Sequence, residues 1–222
     1  MKRLIEIRSA EGGEDSKLFV VDLAQSYQRH CDRVGWINRI VRNVPGELYI
    51  EVEGQNLQQL ENEAGGHRIQ RVPPTERKGR VHTSTVTVAV TDPELQVKEY
   101  KDSDFRIEWY SGTGAGGQHR NKHQNSCRIT YLPTGQTATA QCRSRQNSQE
   151  QAKQALLETL NSQAHKEFKQ NLDVDRKQQV GSGMRGDKIR TYRFQDDTVK
   201  DHNTGKSSTA SKVLRGYFDL MW

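Results

Sequence analysis

Ser111-Gly112-Thr113-Gly114-Ala115-Gly116-Gly117-Gln118-His119 places four glycines in nine residues, and two folds compete for it. Gly112-x-Gly114-x-x-Gly117, after the strand-like Arg106-Ile107-Glu108-Trp109-Tyr110, matches a dinucleotide fingerprint and would make the chain a doubly wound α/β protein. That fingerprint needs an apolar helix directly after the glycines and an acid roughly 20 residues on for the ribose. The glycines instead run into polar and basic His119-Arg120-Asn121-Lys122-His123-Gln124-Asn125, and no Asp or Glu stands between Glu108 and Glu150. The segment is also no linker, because strand-like Arg128-Ile129-Thr130-Tyr131 resumes behind it. It reads as a loop between strands, whose glycines let main-chain N–H groups approach another molecule closely.

Working outward, the acid-free stretch 109–149 holds Arg120, Lys122, Arg128, Arg143 and Arg145, where the 28 acids of the 222-residue chain would average about five. A second run, 176–193, carries Arg176, Lys177, Arg185, Lys188, Arg190 and Arg193 against the single acid Asp187. With a net charge of +6 and a pI near 9.2, these clusters point to a nucleic acid rather than a membrane or an acidic protein.

The length suits one large or two small domains, and a hydrophobic fraction of 32% implies surface-rich modules. No apolar run approaches a membrane span, and Met1-Lys2-Arg3-Leu4-Ile5-Glu6 is no signal sequence, so a cytoplasmic protein is expected. Cys31, Cys127 and Cys142 lack C-x-x-C spacing, and neither a disulfide framework, a metal nor a cofactor is indicated.

Alternation predicts strands at Leu4–Arg8 and Glu47–Glu53, and β-branched residues predict one over Val81–Val90. Further strands are expected at 97–100, 105–110, 127–131 and 136–142. Helices are expected from near Glu14-Asp15, at 55–64, and from a capping box Ser148-x-x-Gln151 to about residue 170, with Ala152, Ala155, Leu156 and Leu160 on one face. The string is α+β, without βαβ regularity or repeats.

Gly114-Ala115-Gly116-Gly117-Gln118-His119-Arg120-Asn121, with Arg128-Ile129-Thr130 and Leu132-Pro133-Thr134-Gly135, resembles the catalytic domain of the class I bacterial peptide-chain release factors. Gly65-Gly66-His67-Arg68-Ile69-Gln70-Arg71-Val72-Pro73-Pro74-Thr75-Glu76 and Gly79-Arg80-Val81-His82-Thr83-Ser84 resemble the codon-reading segment of that family. Ile5–Arg8 with Gly12-Gly13, and Val180-Gly181-Ser182-Gly183 with Ile189-Arg190-Thr191-Tyr192, match its flanking parts. The resemblance implies an α+β fold of two domains. One is a mixed-sheet codon-recognition domain over 1–100, completed by 182–222; the other is an inserted small α+β catalytic domain over 101–181.

Pro-x-Thr resembles the form that reads UAA and UAG, so Pro73, Pro74 and Thr75 are the discriminating tripeptide. Two prolines stiffen a loop before it docks, and a hydroxyl can both donate and accept. The resemblance implies that Thr75 faces the first two bases and that Gln70 and Thr83 face the third. His82 would stack between the second and third, and Gly12, Gly13 and Asp15 would form the helix tip that checks the first uridine. Gly116, Gly117 and Gln118 would be catalytic, with Gln118 methylated on N5 by a dedicated methyltransferase. Arg120, Lys122, Arg128, Arg143, Arg145, Arg185, Lys188 and Arg190 are the expected RNA contacts. The implied partners are the ribosomal RNA, the mRNA stop codon and the P-site peptidyl-tRNA, met by a monomer that hydrolyses nothing without the ribosome.

The chain departs from the family at Arg120, where Val is usual, at His123-Gln124-Asn125, at Gln146-Asn147, and at Asp15, where Glu is commoner. It is expected to be a compact form that lacks the helical N-terminal domain of the family. Two rival readings share parts of the pattern. A ribosome-rescue hydrolase carries Gly-Gly-Gln without a codon reader, and a non-catalytic termination decoy would have no use for an intact Gly116-Gly117-Gln118.

Overall fold

The computed structural model describes residues 1–93, 100–113 and 122–222. It divides into two compact units, Met1–Glu94 with Asn171–Trp222, and Leu95–Gln170. The strand expected at 97–100 falls, apart from Tyr100, outside the described residues.

The larger unit is built on β1 (Lys2–Ser9), β2 (Ile37–Val44), β3 (Glu47–Glu53), β4 (Gly65–Arg71) and β5 (His82–Thr91). After β6 (Phe105–Tyr110), β7 (Ser126–Tyr131) and β8 (Gln136–Gln141) of the smaller unit, the chain returns to it as β9 (Arg190–Arg193), β10 (Thr198–Asp201) and β11 (Ser207–Ser208). The eight strands form one mixed sheet in the order β11-β10-β9-β4-β5-β1-β3-β2, parallel only between β4 and β9. Register sets Ile5 opposite Ile50 and Val90, and Ile7 opposite Leu48 and Val88, so alternate apolar residues gather on one face.

Helix α1 (Gly13–Val34) covers that face with Phe19, Val20, Leu23, Ala24, Tyr27 and Cys31, and each large aliphatic side chain so buried contributes about 1.5–3 kcal/mol. Burial pushes the Cys31 thiol up to about 12 and leaves it unreactive. The polar helix expected at 55–64 is a 3₁₀ segment, Leu57–Glu63, pinned by buried Leu57 and Leu60.

In the smaller unit β6, β7 and β8 form an antiparallel sheet. Helix α2 (Arg145–Val180) lays Ala152, Leu156 and Leu160 onto Cys127, Ile129 and Tyr131 of β7, while Ala155 points to solvent, one step off the apolar stripe. The expected capping box is corrected. Ser144 caps the helix, its Oγ accepting the Asn147 N–H at 3.2 Å, while Ser148 lies inside and accepts from the Cys142 N–H at 2.8 Å. The helix therefore starts four residues earlier than expected and runs about ten further.

Candidate nucleic-acid interface

β4 and β5 form a hairpin whose register sets Gln70 opposite Thr83 and Arg71 opposite His82. The ten residues between them, 72–81, form a loop, and its turn closes where the Glu76 N–H bonds the Pro73 carbonyl at 3.0 Å. Pro74 and Thr75 stand exposed at that turn. Glu76, its side chain enclosed, ties the loop together. Its carboxylate accepts from the Lys78 N–H at 2.7 Å, from His82 Nε2 at 2.8 Å and from the Arg80 guanidinium at 3.2 Å. The Lys78 N–H first, and then His82, hold the Glu76 carboxyl below the usual carboxylate range. His82 itself, 44% exposed, offers a ring face at the mouth of the hairpin, unlike the fully buried His67.

The base of the loop is locked to the tip of α1. Arg71 Nε donates to Asp15 Oδ1 at 2.7 Å and its Nη1 to Asp22 Oδ2 at 2.7 Å, while Ser84 Oγ donates to Asp15 Oδ2 at 2.8 Å. Gly12, at φ 124°, lies so close to β5 that a Cβ there would overlap the Ser84 side chain. The helix tip and the hairpin neck are thus one packed piece, joined also by the Thr85 N–H on the Glu11 carbonyl at 2.6 Å.

The glycine-rich loop joins β6 to β7. Gly116, Gly117, Gln118 and Arg120 lie outside the described residues. The flanks of the loop are held from its C-terminal side. Arg145 Nε donates to the Gln124 carbonyl at 2.9 Å with its guanidinium 4.9 Å from the Trp109 ring centre, and Asn125 Nδ2 donates to the Arg143 carbonyl at 2.9 Å. Lys122, Arg128, Arg143 and Arg145 are all exposed around this neck, with Arg128 over the Tyr110 ring at 5.7 Å.

The chain matches the family model described as the PCRF domain over residues 1–88 and that of the RF-1 domain over residues 93–203. The chain belongs to the peptide-chain release factor family. It is of the release factor 1 type. "Peptide chain release factor 1" of Enterococcus faecalis is 38% identical over 226 residues, covering 97% of this chain and 63% of that one. The protein of the same name from Albidiferax ferrireducens is 42% identical over 208 residues, covering 89% and 57%. The chain thus spans roughly 60% of the length of these relatives. Among solved structures, "RF2 of Thermus thermophilus" is similar with a TM-score of 0.58 at 31% identity, over 100% of this chain and 66% of that one.

Three expected contacts of the family's kind are corrected by burial, and the first is Pro73, which is buried beneath the turn and stiffens it from inside. Arg190, expected to meet RNA, is 0% exposed; its Nη1 donates to Glu63 Oε2 at 2.6 Å and its Nη2 to Asp201 Oδ2 at 2.9 Å. Glu63 also accepts from the Tyr27 hydroxyl at 3.0 Å and from Trp222 Nε1 at 2.6 Å, so Arg190 is the cation of a satisfied internal network. Asp15, expected at the codon, is 2% exposed with both oxygens engaged, and it supports the helix tip from beneath. Arg185 is exposed but pairs with Glu11 at 3.0 Å; Lys188 is half-buried. Sequence reasoning gave Glu76 no role. The signal was present in the spacing of Glu76, Lys78, Arg80 and His82, which only a tight loop brings together.

Proposed function

We propose that this chain reads UAA and UAG in the ribosomal A site and triggers hydrolysis of the peptidyl-tRNA ester. The observation that carries the reading is the pairing of Gln70 with Thr83 across β4 and β5, at the neck of a loop whose turn exposes Pro74 and Thr75 above a buried Pro73. An amide and a hydroxyl side by side can test the edge of an unstacked base, and the half-exposed His82 ring offers a stacking face beside them. Codon reading falls to the larger unit and catalysis to the smaller.

Ester hydrolysis needs a placed water and stabilisation of the charge that develops on the carbonyl oxygen or on the leaving 3′-oxygen. Neither glycine nor Gln118 is a base near neutral pH, so the loop acts by position and by main-chain dipoles, with the Gln118 N–H as donor. The Gln118 side-chain amide shapes the pocket to admit water, and N5-methylation by a dedicated methyltransferase trims that shape. Ribosomal RNA and the tRNA complete the site, so the factor works as a monomer in the cytoplasm and needs no metal or cofactor.

The test is release of a labelled peptide from ribosomes that carry UAA or a sense codon in the A site. Release at UAA alone supports the reading; equal release at the sense codon, or none at either, rejects it.

A further inference from the structure

The face of the large sheet opposite α1 carries a row of side chains crossing five strands. Backbone pairing sets Thr85 beside Arg68, Arg68 beside Thr191, Thr191 opposite Lys200 and Lys200 opposite Ser207. One step along, a second row runs Thr83, Gln70, Arg193, Thr198. Residues paired in this way share a face, and the rows lie about 7 Å apart, two residues of strand rise. A groove of about 210 Å³ opens over their β4, β9, β10 and β11 members, ending at Arg68 short of Thr85, Gln70 and Thr83, and no carboxylate lines it.

The charge here is unbalanced. Arg8, Arg39, Arg42, Arg71 and Arg190 of the same sheet each meet a carboxylate. Among the described residues, Arg68, Arg193 and Lys200 have no acidic partner, and the buried Arg68 Nε and Thr85 Oγ1, neighbours across β4 and β5, have no hydrogen-bond partner. His202 joins the groove through Nε2 on Thr191 Oγ1 at 2.8 Å. Burial, and then Arg193, lowers the Arg68 guanidinium; burial, and then Lys188, Arg68 and Lys200, lowers His202. Two unsatisfied polar atoms within a field of like charges describe a site built for an anion.

We propose that this groove binds the phosphodiester backbone of a single RNA strand. Guanidinium forks with hydroxyls between them are suited to phosphate oxygens. The first row spans about 19 Å, four strand spacings, which is long for one free phosphate and fits consecutive phosphates of a strand. The second row continues directly into Gln70 and Thr83, so a strand held here by its phosphates has a base within reach of that pair. This last placement rests on the proposed codon reading; the groove itself does not.

The experiment titrates the isotopically labelled full chain, without ribosomes, with a uridine hexanucleotide and separately with inorganic phosphate. Thr191 and His202 resonances are followed, and hexamer affinity is measured against salt. We expect the hexamer to move both resonances and to raise the pH at which His202 titrates. Arg193→Gln/Lys200→Gln, both exposed positions, should weaken the hexamer about tenfold. It should also flatten the log–log salt slope by about 1.4, two phosphate contacts at roughly 0.7 each. Unmoved Thr191 and His202, or unchanged affinity in the double variant with native amide dispersion, overturns the proposal. Equal affinity for inorganic phosphate overturns the assignment to a strand. Because the assay needs no stop codon, its failure leaves the release test standing, and the reverse holds.

Discussion

Glu76 Oε2 accepts a hydrogen bond from His82 Nε2 at 2.8 Å, bridging the turn of the 72–81 loop to the first residue of β5. The same carboxylate holds the Lys78 N–H and Arg80, so one anion enclosed by its own loop ties that loop together.

Glu76→Gln should therefore free the loop without unfolding the domain. On ribosomes programmed with UAA, KM should rise about tenfold with kcat nearly unchanged, because ordering is deferred to binding. The dependence on pH has a definite sign. A carboxyl held low in the folded loop contributes order above its ordinary range and loses it as pH falls through the folded value, so acid should mimic the substitution. A kcat loss with unchanged KM would contradict this role.

Asp15→Ala leaves Arg71 and Ser84 without their buried acceptor. Removing one partner of a buried pair costs about 3 kcal/mol or more, read as a shift in the urea midpoint. Gly12→Ala should detach the helix tip as well, by strain at positive φ and overlap with Ser84, costing about 1–3 kcal/mol. Wild-type stability in both variants would show that the tip is not bound to the hairpin as described.

His67 supplies a second pH dependence. Its Nε2 donates to the Glu63 carbonyl at 2.9 Å and its Nδ1 accepts from the Tyr192 hydroxyl at 3.2 Å, and burial, and then Arg190, lowers it to about 4. The unfolded chain takes up a proton near 6.5 and the folded chain only near 4. Stability thus falls as pH drops through that window, by about 2 kcal/mol between pH 7 and pH 5. His67→Gln should flatten this slope, and urea unfolding at the two pH values measures it.

Much of this was legible in the chain. Alternation at Leu4–Arg8 and Glu47–Glu53 and the β-branched run ending at Val90 mark three central strands: β3 buries only alternate residues, while β5 is buried on both faces from Ser84 to Thr91. β2 was not legible, since nearly every residue in it is exposed and leaves no alternation, and β9 and β10, with four residues each, are too short for a period. Charge identity misled at Arg190. A basic residue in a basic run reads as surface, and only the distant Glu63 and Asp201 reveal it as internal. The same limit hid Arg68 and Lys200, whose significance is the absence of an acid across strands far apart in sequence.

Gly117→Ala should abolish peptide release while ribosome binding stays nearly intact, since the loop is proposed to act through backbone that a Cβ would obstruct. Near wild-type release in that variant, by single-turnover assay, would remove the backbone mechanism.

The most direct measurement is kcat/KM for peptide release on ribosomes programmed in turn with UAA, UAG, UGA and a sense codon. Pro73-Pro74-Thr75 over the Gln70–Thr83 pair predicts efficient release at UAA and UAG and little at UGA or the sense codon. Comparable release at UGA, or release without a stop codon, would contradict it.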